Sequence, residues 1–169
     1  VQTAAALKNV VAIAFGMLDA LKDLNEKFGD NTESLLLAAG LNEIQLLGTA
    51  LGSSHPQTFT SIAAVGDLDV TCRSIYGRNR RFGREIIHDR KIAPYSDIDS
   101  ILEHIDQIGY LPEGVAACRH AFAIAQQKKL KTPIINAVHS ILNREIEPFE
   151  AIVDLLQKIS GAEAEHFSE

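Results

Sequence analysis

Several things are scarce in this chain of 169 residues. Two cysteines, Cys72 and Cys118, are too few for a disulfide scaffold and fit a reducing compartment, the cytoplasm. The longest nonpolar run, Val10 to Leu18, falls far short of a membrane span, and no signal peptide is visible. Positive charge is not in excess: Lys+Arg 16 against Asp+Glu 22 gives a formal charge of −6, which argues against broad nucleic-acid or anionic-membrane binding while leaving room for a local basic pocket. No GxGxxG turn, P-loop or H-E-x-x-H pair occurs, and the six histidines are scattered, so neither a phosphate-cradling glycine loop nor a metal site is expected. No convincing alternating strand is found either. Hydrophobic residues at 46% and charged residues at 22% are enough for one sizeable core. The chain opens at Val1 inside an apolar stretch, and it reads as a piece of something longer.

The pattern is helical nearly throughout, which predicts an all-α fold. Residues 4–21 are apolar on almost every face, as in a central buried helix. LKDLNEKFGDN then reads as a surface connection, and a second helix is expected from Thr32 to Gly52. Pro56 suits the start of a short helix over 56–65, after which residues 66–79 show no clean period. Helical pattern resumes over 79–88. Ser96 is the expected N-cap of a helix over 97–107, and further helices are expected over 113–128, 133–143 and 148–160. GAEAEHFSE, residues 161–169, reads as a frayed tail after a domain spanning 1–160.

Two signals carry chemistry. Lys8 stands inside the apolar first helix, so it either snorkels to the surface or sits in a cavity. A buried amine is costly to keep charged, and that cost suits it to proton transfer. The second signal is GDLDVTCRSIYGRNRRFGRE, where Asp67, Asp69 and Thr71 precede Arg78, Arg80, Arg81 and Arg84. Gly77 before a helix start allows backbone to approach a ligand, and the helix N-terminus favours an anion. Arg78 can grip phosphate in bidentate fashion and Asn79 can add an amide donor. The competing reading is a solvated basic helix face, which suits Arg81 and Arg84 better than Arg78 and Asn79. Both cysteines read as structural.

In order along the chain, AALKNVVAIAFGMLDAL, FGDNTESLLLAAGLNEIQLLGTALG, AAVGDLDVTC, GRNRRFGRE, PEGVAACRHAFAIA and TPIINAVHSIL resemble the NAD(P)-dependent glycerol-3-phosphate dehydrogenases of the bacterial soluble type. The similarity covers roughly residues 1–160 and matches only that family's C-terminal substrate domain; the N-terminal Rossmann domain has no counterpart in this sequence. The resemblance implies the all-helical fold shared with 6-phosphogluconate dehydrogenase C-terminal domains. It implies that Lys8 is the catalytic lysine, exchanging a proton with the carbonyl oxygen of dihydroxyacetone phosphate or the hydroxyl of sn-glycerol 3-phosphate. Asp67 and Thr71 are implied to line the substrate pocket. Gly77, Arg78 and Asn79 are implied to hold the phosphate, with Arg78 also reaching NAD or NADP. Leu111 and Glu113 are implied to touch the cofactor, bound mainly by the missing domain. A cytoplasmic enzyme, possible pairing as a homodimer, a role in supplying glycerophospholipid synthesis, and no turnover from this fragment alone follow from the same likeness.

This sequence departs from the family pattern at three places. Ala4 and Ala5 stand where glycines usually precede ALKN, which predicts a slightly different helix entry. Gly77 stands where bacterial members commonly carry Ser, removing one hydroxyl. LKDLNEKFGDN looks like a surface insertion. Two rival readings are the helical substrate or dimerisation domain of another two-domain hydroxyacid dehydrogenase, and a non-catalytic helical interaction module. A cleft shared by Lys8, Asp67 and Arg78 favours the dehydrogenase; an exposed Lys8 with the other two pointing away favours the module.

Overall fold

The computed structural model describes residues 2–26 and 28–166, with side chains described for residues 6–26 and 28–161. All regular structure among the described residues is helical. In chain order the helices are α1 (Gln2–Leu24), α2 (Asp30–Ala50), a 3-10 turn (Pro56–Thr60), α3 (Ile62–Arg73), α4 (Arg78–His88), α5 (Ile98–Glu103), α6 (Ile105–Ile108), α7 (Glu113–Lys128), α8 (Pro133–Leu142) and α9 (Pro148–His166). None is long and apolar enough to cross a membrane, among the described residues.

The hydrophobic first helix is central, as its composition requires. Val10, Ala12, Ile13, Ala14, Met17 and Leu18 are each 0% exposed, and α2, α3, α4, α7, α8 and α9 all pack against α1. Missing side chains bring two of these helices unusually close. A Cβ on Gly83 of α4 would stand 2.1 Å from the Ile13 carbonyl oxygen, and one on Gly16 of α1 would stand 2.0 Å from the Arg80 carbonyl oxygen. The crossing of α1 and α4 therefore has room only for glycine at both points. Charges continue the same seam: Arg80 and Arg84 both donate to Asp19, and Arg84 also reaches Asp23 at 2.7 Å.

Several sequence expectations are corrected. α1 runs on to Leu24 and α2 begins at Asp30, so both ends of LKDLNEKFGDN are helical and the connection is shorter than expected. Gly29 is the N-cap of α2 and donates its N–H to the Thr32 hydroxyl at 3.0 Å, so Thr32 lies inside the first turn. The helix expected over 56–65 is instead the 3-10 turn, and α3 begins after Ser61, whose hydroxyl accepts from the Ala64 N–H. Half of the stretch read as aperiodic, 66–73, is helical. It hid because α3 buries only Leu68 and Cys72, which leaves no apolar period to see. Asp97, not Ser96, caps α5 by accepting from the Ser100 N–H at 2.8 Å, and the segment 97–107 breaks at His104. The expected tail continues α9 to His166; residues 167–169 lie outside the described part, as do the side chains of Ala4 and Ala5. Cys72 and Cys118 are free, fully buried thiols, and burial pushes Cys72 up to about 12, which keeps it protonated and inert.

Candidate functional site

Lys8 emerges near the start of α1, with its side chain 32% exposed, so it snorkels to the rim of the domain rather than occupying an apolar cavity. Its ammonium donates to Asp67 Oδ2 at 2.8 Å. Asp67 lies on α3, and one turn later the Thr71 hydroxyl donates to the Asp67 carbonyl oxygen at 2.7 Å. That bond directs the Thr71 hydroxyl proton back into its own helix and leaves the oxygen's acceptor capacity free. These three residues form one cluster between α1 and α3.

The second cluster is built on two helix N-termini. Gly77 is the N-cap of α4 at φ −67°, an angle open to any residue, so its small size matters more than its freedom. A Cβ there would stand 3.2 Å from the Ser74 carbonyl oxygen and 3.5 Å from that of Thr71. Arg78 opens α4 and its guanidinium pairs with Glu113, the first residue of α7. Asn79 is 7% exposed, and its carboxamide oxygen accepts from the Gly114 N–H at 2.8 Å while its Nδ2 donates to Glu113 at 3.4 Å. Asn79 thus serves as a side-chain cap for α7 and ties the two helix starts together. Leu111, in the segment leading into α7, is 42% exposed beside them.

The two clusters adjoin. The close approach of Gly77 to Thr71 joins them on one side. On the other, Gly114 lies against the Asn9 carbonyl, where an added Cβ would come within 2.6 Å, so the start of α7 rests on the residue next to Lys8. The outcome is an open rim on which one ammonium and one guanidinium are each paired with a carboxylate and the N-terminus of α4 carries no side-chain cap, so an anion is favoured there once the pairs open. The Lys8–Asp67 and Arg78–Glu113 pairs are solvent-accessible, so each is worth at most about 1 kcal/mol and opens readily to a competing ligand. Arg81 and Arg84 stand apart: Arg81 pairs with Glu85 at 2.7 Å and Arg84 with Asp19 and Asp23, as expected for a basic helix face.

Two concavities lie elsewhere. One of about 1350 Å³ runs between α2, α8 and α9 past Leu35, Glu43, Pro133 and Leu155. The other, about 270 Å³, sits on the outer side of α4 between Arg80, Arg84 and His88. The smaller one is lined by Arg80, Arg81 and Arg84 of the basic run, and neither is lined by Lys8, Asp67, Thr71, Arg78 or Asn79. Sequence reasoning also missed a contact beside Leu111: the Tyr110 hydroxyl donates to Glu85 at 2.6 Å. No local motif could reveal it, since the two residues are far apart in sequence.

Against known proteins, residues 1–153 match the family model described as NAD-dependent glycerol-3-phosphate dehydrogenase C-terminus. Glycerol-3-phosphate dehydrogenase [NAD(P)+] of Treponema denticola is 59% identical over 157 residues, which is 93% of this chain and 44% of that protein. The protein of the same description from Nitrosomonas europaea is 37% identical over 165 residues, 98% of this chain and 46% of that protein. A crystal structure of glycerol-3-phosphate dehydrogenase from Coxiella burnetii superposes with a TM-score of 0.71 at 32% identity, covering 91% of this chain and 43% of that one. The chain thus spans less than half the length of the relatives it matches.

Proposed function

The chain belongs to the family of NAD-dependent glycerol-3-phosphate dehydrogenase C-termini, and from that premise we propose that it is the substrate-binding half of an oxidoreductase interconverting dihydroxyacetone phosphate and sn-glycerol 3-phosphate. The observation that carries this reading is the convergence of Lys8 with the Arg78 end of α4 on one rim. A phosphorylated ketone needs both: a proton donor at the carbonyl and a cation with helix N-termini at the phosphate. That arrangement also weighs against the interaction-module reading, which gives Lys8 and the start of α4 no reason to share a rim.

Arg78, leaving Glu113, grips the phosphate, while the N-terminus of α4 at Gly77 adds backbone donors. Asn79 contributes by holding the start of α7 in place through Gly114, and its Nδ2 becomes available to the phosphate when Glu113 moves away. This remote binding orients the ketone so that its oxygen meets Lys8. Asp67 holds the ammonium in position, and Thr71 offers an acceptor to a substrate hydroxyl. As the carbonyl carbon gains hydride, Lys8 gives a proton to the oxygen and is reprotonated from solvent; in the reverse direction it takes the proton back.

A nicotinamide cofactor supplies the hydride when bound. The segment ending in Glu113 suits one edge of it, pairing an exposed apolar side chain, Leu111, with a carboxylate that can accept from ribose hydroxyls. The described helices have no glycine-rich strand-to-helix turn for a pyrophosphate, so NAD or NADP relies mainly on a separate cofactor-binding domain, and residues 1–169 alone are expected to show no turnover. The same reading places the enzyme in the cytoplasm, supplies glycerol 3-phosphate to glycerophospholipid synthesis, and allows a homodimer.

The test uses the dehydrogenase carrying this chain together with its cofactor-binding domain. Lys8→Ala is expected to lower kcat by about 10²–10⁴-fold with cofactor affinity unchanged. Arg78→Ala should instead raise KM for dihydroxyacetone phosphate by at least about tenfold, the loss of a charge-assisted contact. Wild-type-like turnover in Lys8→Ala, or an unaltered KM in Arg78→Ala, overturns the assignment.

A further inference from the structure

The segment between α6 and α7 is fastened to α4 at two places, and only one of them involves the candidate site residues. Its far end is held by Arg78 and Asn79, through Glu113 and the Gly114 N–H. Its near end begins at Gly109, which closes α6 in the left-handed conformation at φ 86°, and continues into Tyr110. The Tyr110 hydroxyl donates to Glu85 Oε2 at 2.6 Å, two turns along α4 from Arg78. Between the two fastenings stand Leu111 and Pro112.

The Tyr110 fastening is a built one. Glu85 keeps only 15% of its side chain exposed and also accepts from Arg81 Nε at 2.7 Å, with Lys91 Nζ at 3.4 Å. The same two cations lie over the phenol ring, the Arg81 guanidinium 4.6 Å and the Lys91 ammonium 5.8 Å from its centroid. The aromatic face and the carboxylate therefore share one pair of cations, and the ring has little freedom to swing. Burial and the Glu85 partner push the Tyr110 phenol well above its ordinary range, so it remains a donor at any working pH. Burial alone works to raise the Glu85 carboxyl, but the Tyr110 and Arg81 donors outweigh it and hold it below its ordinary range, as an ionised acceptor.

We infer that Tyr110 and Glu85 are positioning residues for the cofactor-facing edge: by pinning the start of segment 110–113 to α4, they hold Leu111 and Glu113 where a nicotinamide nucleotide meets them. Neither residue touches the phosphate end of the site. Their effect falls on the cofactor and not on the ketone phosphate, because α4 is held against α1 at the Gly83–Ile13 and Gly16–Arg80 contacts, and Arg78 leaves Glu113 when it takes the phosphate. This inference deepens the proposed dehydrogenase function and rests on it.

Two measurements test it separately. On the 169-residue chain, backbone ¹⁵N order parameters of Leu111 and Glu113 are expected near the rigid value of about 0.85 and to fall toward about 0.6 in Tyr110→Phe. That variant keeps the ring and loses only the hydroxyl. Glu85→Ala should reproduce the loss, and Glu85→Gln, which leaves an acceptor for the phenol, should recover most of it. In the dehydrogenase joined to its cofactor-binding domain, Tyr110→Phe should raise KM for NAD(P)H about tenfold, the scale of one charge-assisted hydrogen bond. KM for dihydroxyacetone phosphate should stay within about twofold, well inside the effect expected for a lost phosphate contact. Unchanged order parameters overturn the inference, as does an equal rise in both KM values, the mark of a merely structural role. A wild-type enzyme that shows no turnover with dihydroxyacetone phosphate fails the proposed function instead, and the order parameters still report on the fastening.

Discussion

At the residue scale, the glycines show how little separates a required residue from a replaceable one. Gly83 and Gly66 both lie inside helices, yet a methyl group on Gly83 would strike the Ile13 backbone whereas one on Gly66 would meet nothing within 4 Å. Gly83→Ala should therefore destabilise by about 1–3 kcal/mol or more through overpacking against backbone that cannot give way. Gly66→Ala should stabilise by about 0.5–1 kcal/mol, since an exposed helical glycine only adds flexibility to the unfolded chain. Thermal unfolding of the two variants checks both signs, at roughly 2–4 °C for each kcal/mol in a chain of this size; a Gly83→Ala variant as stable as wild type would show that the crossing can relax. The residue scale is also where the candidate site is most legible in the sequence. Lys8 stood out as a charge in an apolar helix and Arg78 as a cation after a glycine, both because local context makes them unusual. Asn79 was legible as a polar group at a helix start, but its bond to the Gly114 N–H was not. That bond joins residues from different helices, and no local pattern encodes it.

At the element scale, α8 depends on a carboxylate from another helix. Glu43 of α2 is 2% exposed, and its two oxygens accept from the N–H groups of Ile134 and Ile135 at 2.6 and 3.1 Å, capping the first turn of α8. Burial raises its carboxyl from 4.5 to about 8 in spite of those two donors. A carboxyl whose folded value lies above its unfolded one is protonated preferentially in the fold. Its contribution to stability is full below about 4.5 and declines as pH rises through about 8. Denaturant unfolding should therefore give a stability that falls between those pH values, and Glu43→Gln, which cannot ionise, should flatten the slope. An unchanged slope in that variant would show that Glu43 stays ionised throughout. An element with a strong apolar stripe, such as α8, is legible almost to the residue, because burial of Ile134, Ile135, Val138, Ile141 and Leu142 on one face writes the period into the sequence. By contrast, α3 was half lost, since two buried side chains write no period, and the break at His104 was invisible in an otherwise continuous helical pattern.

For the whole molecule, those same features divide the domain into a tight centre and a loose edge, and the candidate site straddles the division. Lys8 belongs to α1, the most completely enclosed helix, whereas Asp67 and Thr71 ride on α3, whose Ile62 and Val70 are 93% and 67% exposed. α3 is attached mainly by Leu68, Cys72 and ion pairs such as Arg73 with Glu33 at 3.1 Å. Amides of α1 over residues 10–18 should then exchange with solvent hydrogen only through global unfolding, while those of α3 over 66–73 exchange through a cheaper local opening. A ligand that bridges Lys8 and α3 has to be released before α3 opens, so it adds its binding free energy to the cost of that opening. In the dehydrogenase with its cofactor-binding domain, sn-glycerol 3-phosphate at about 100 times its Kd should raise α3 protection by about a hundredfold. Hydrogen exchange that slows equally little in α3 with and without the ligand would place the substrate away from Asp67 and Thr71, and with it the site away from this rim.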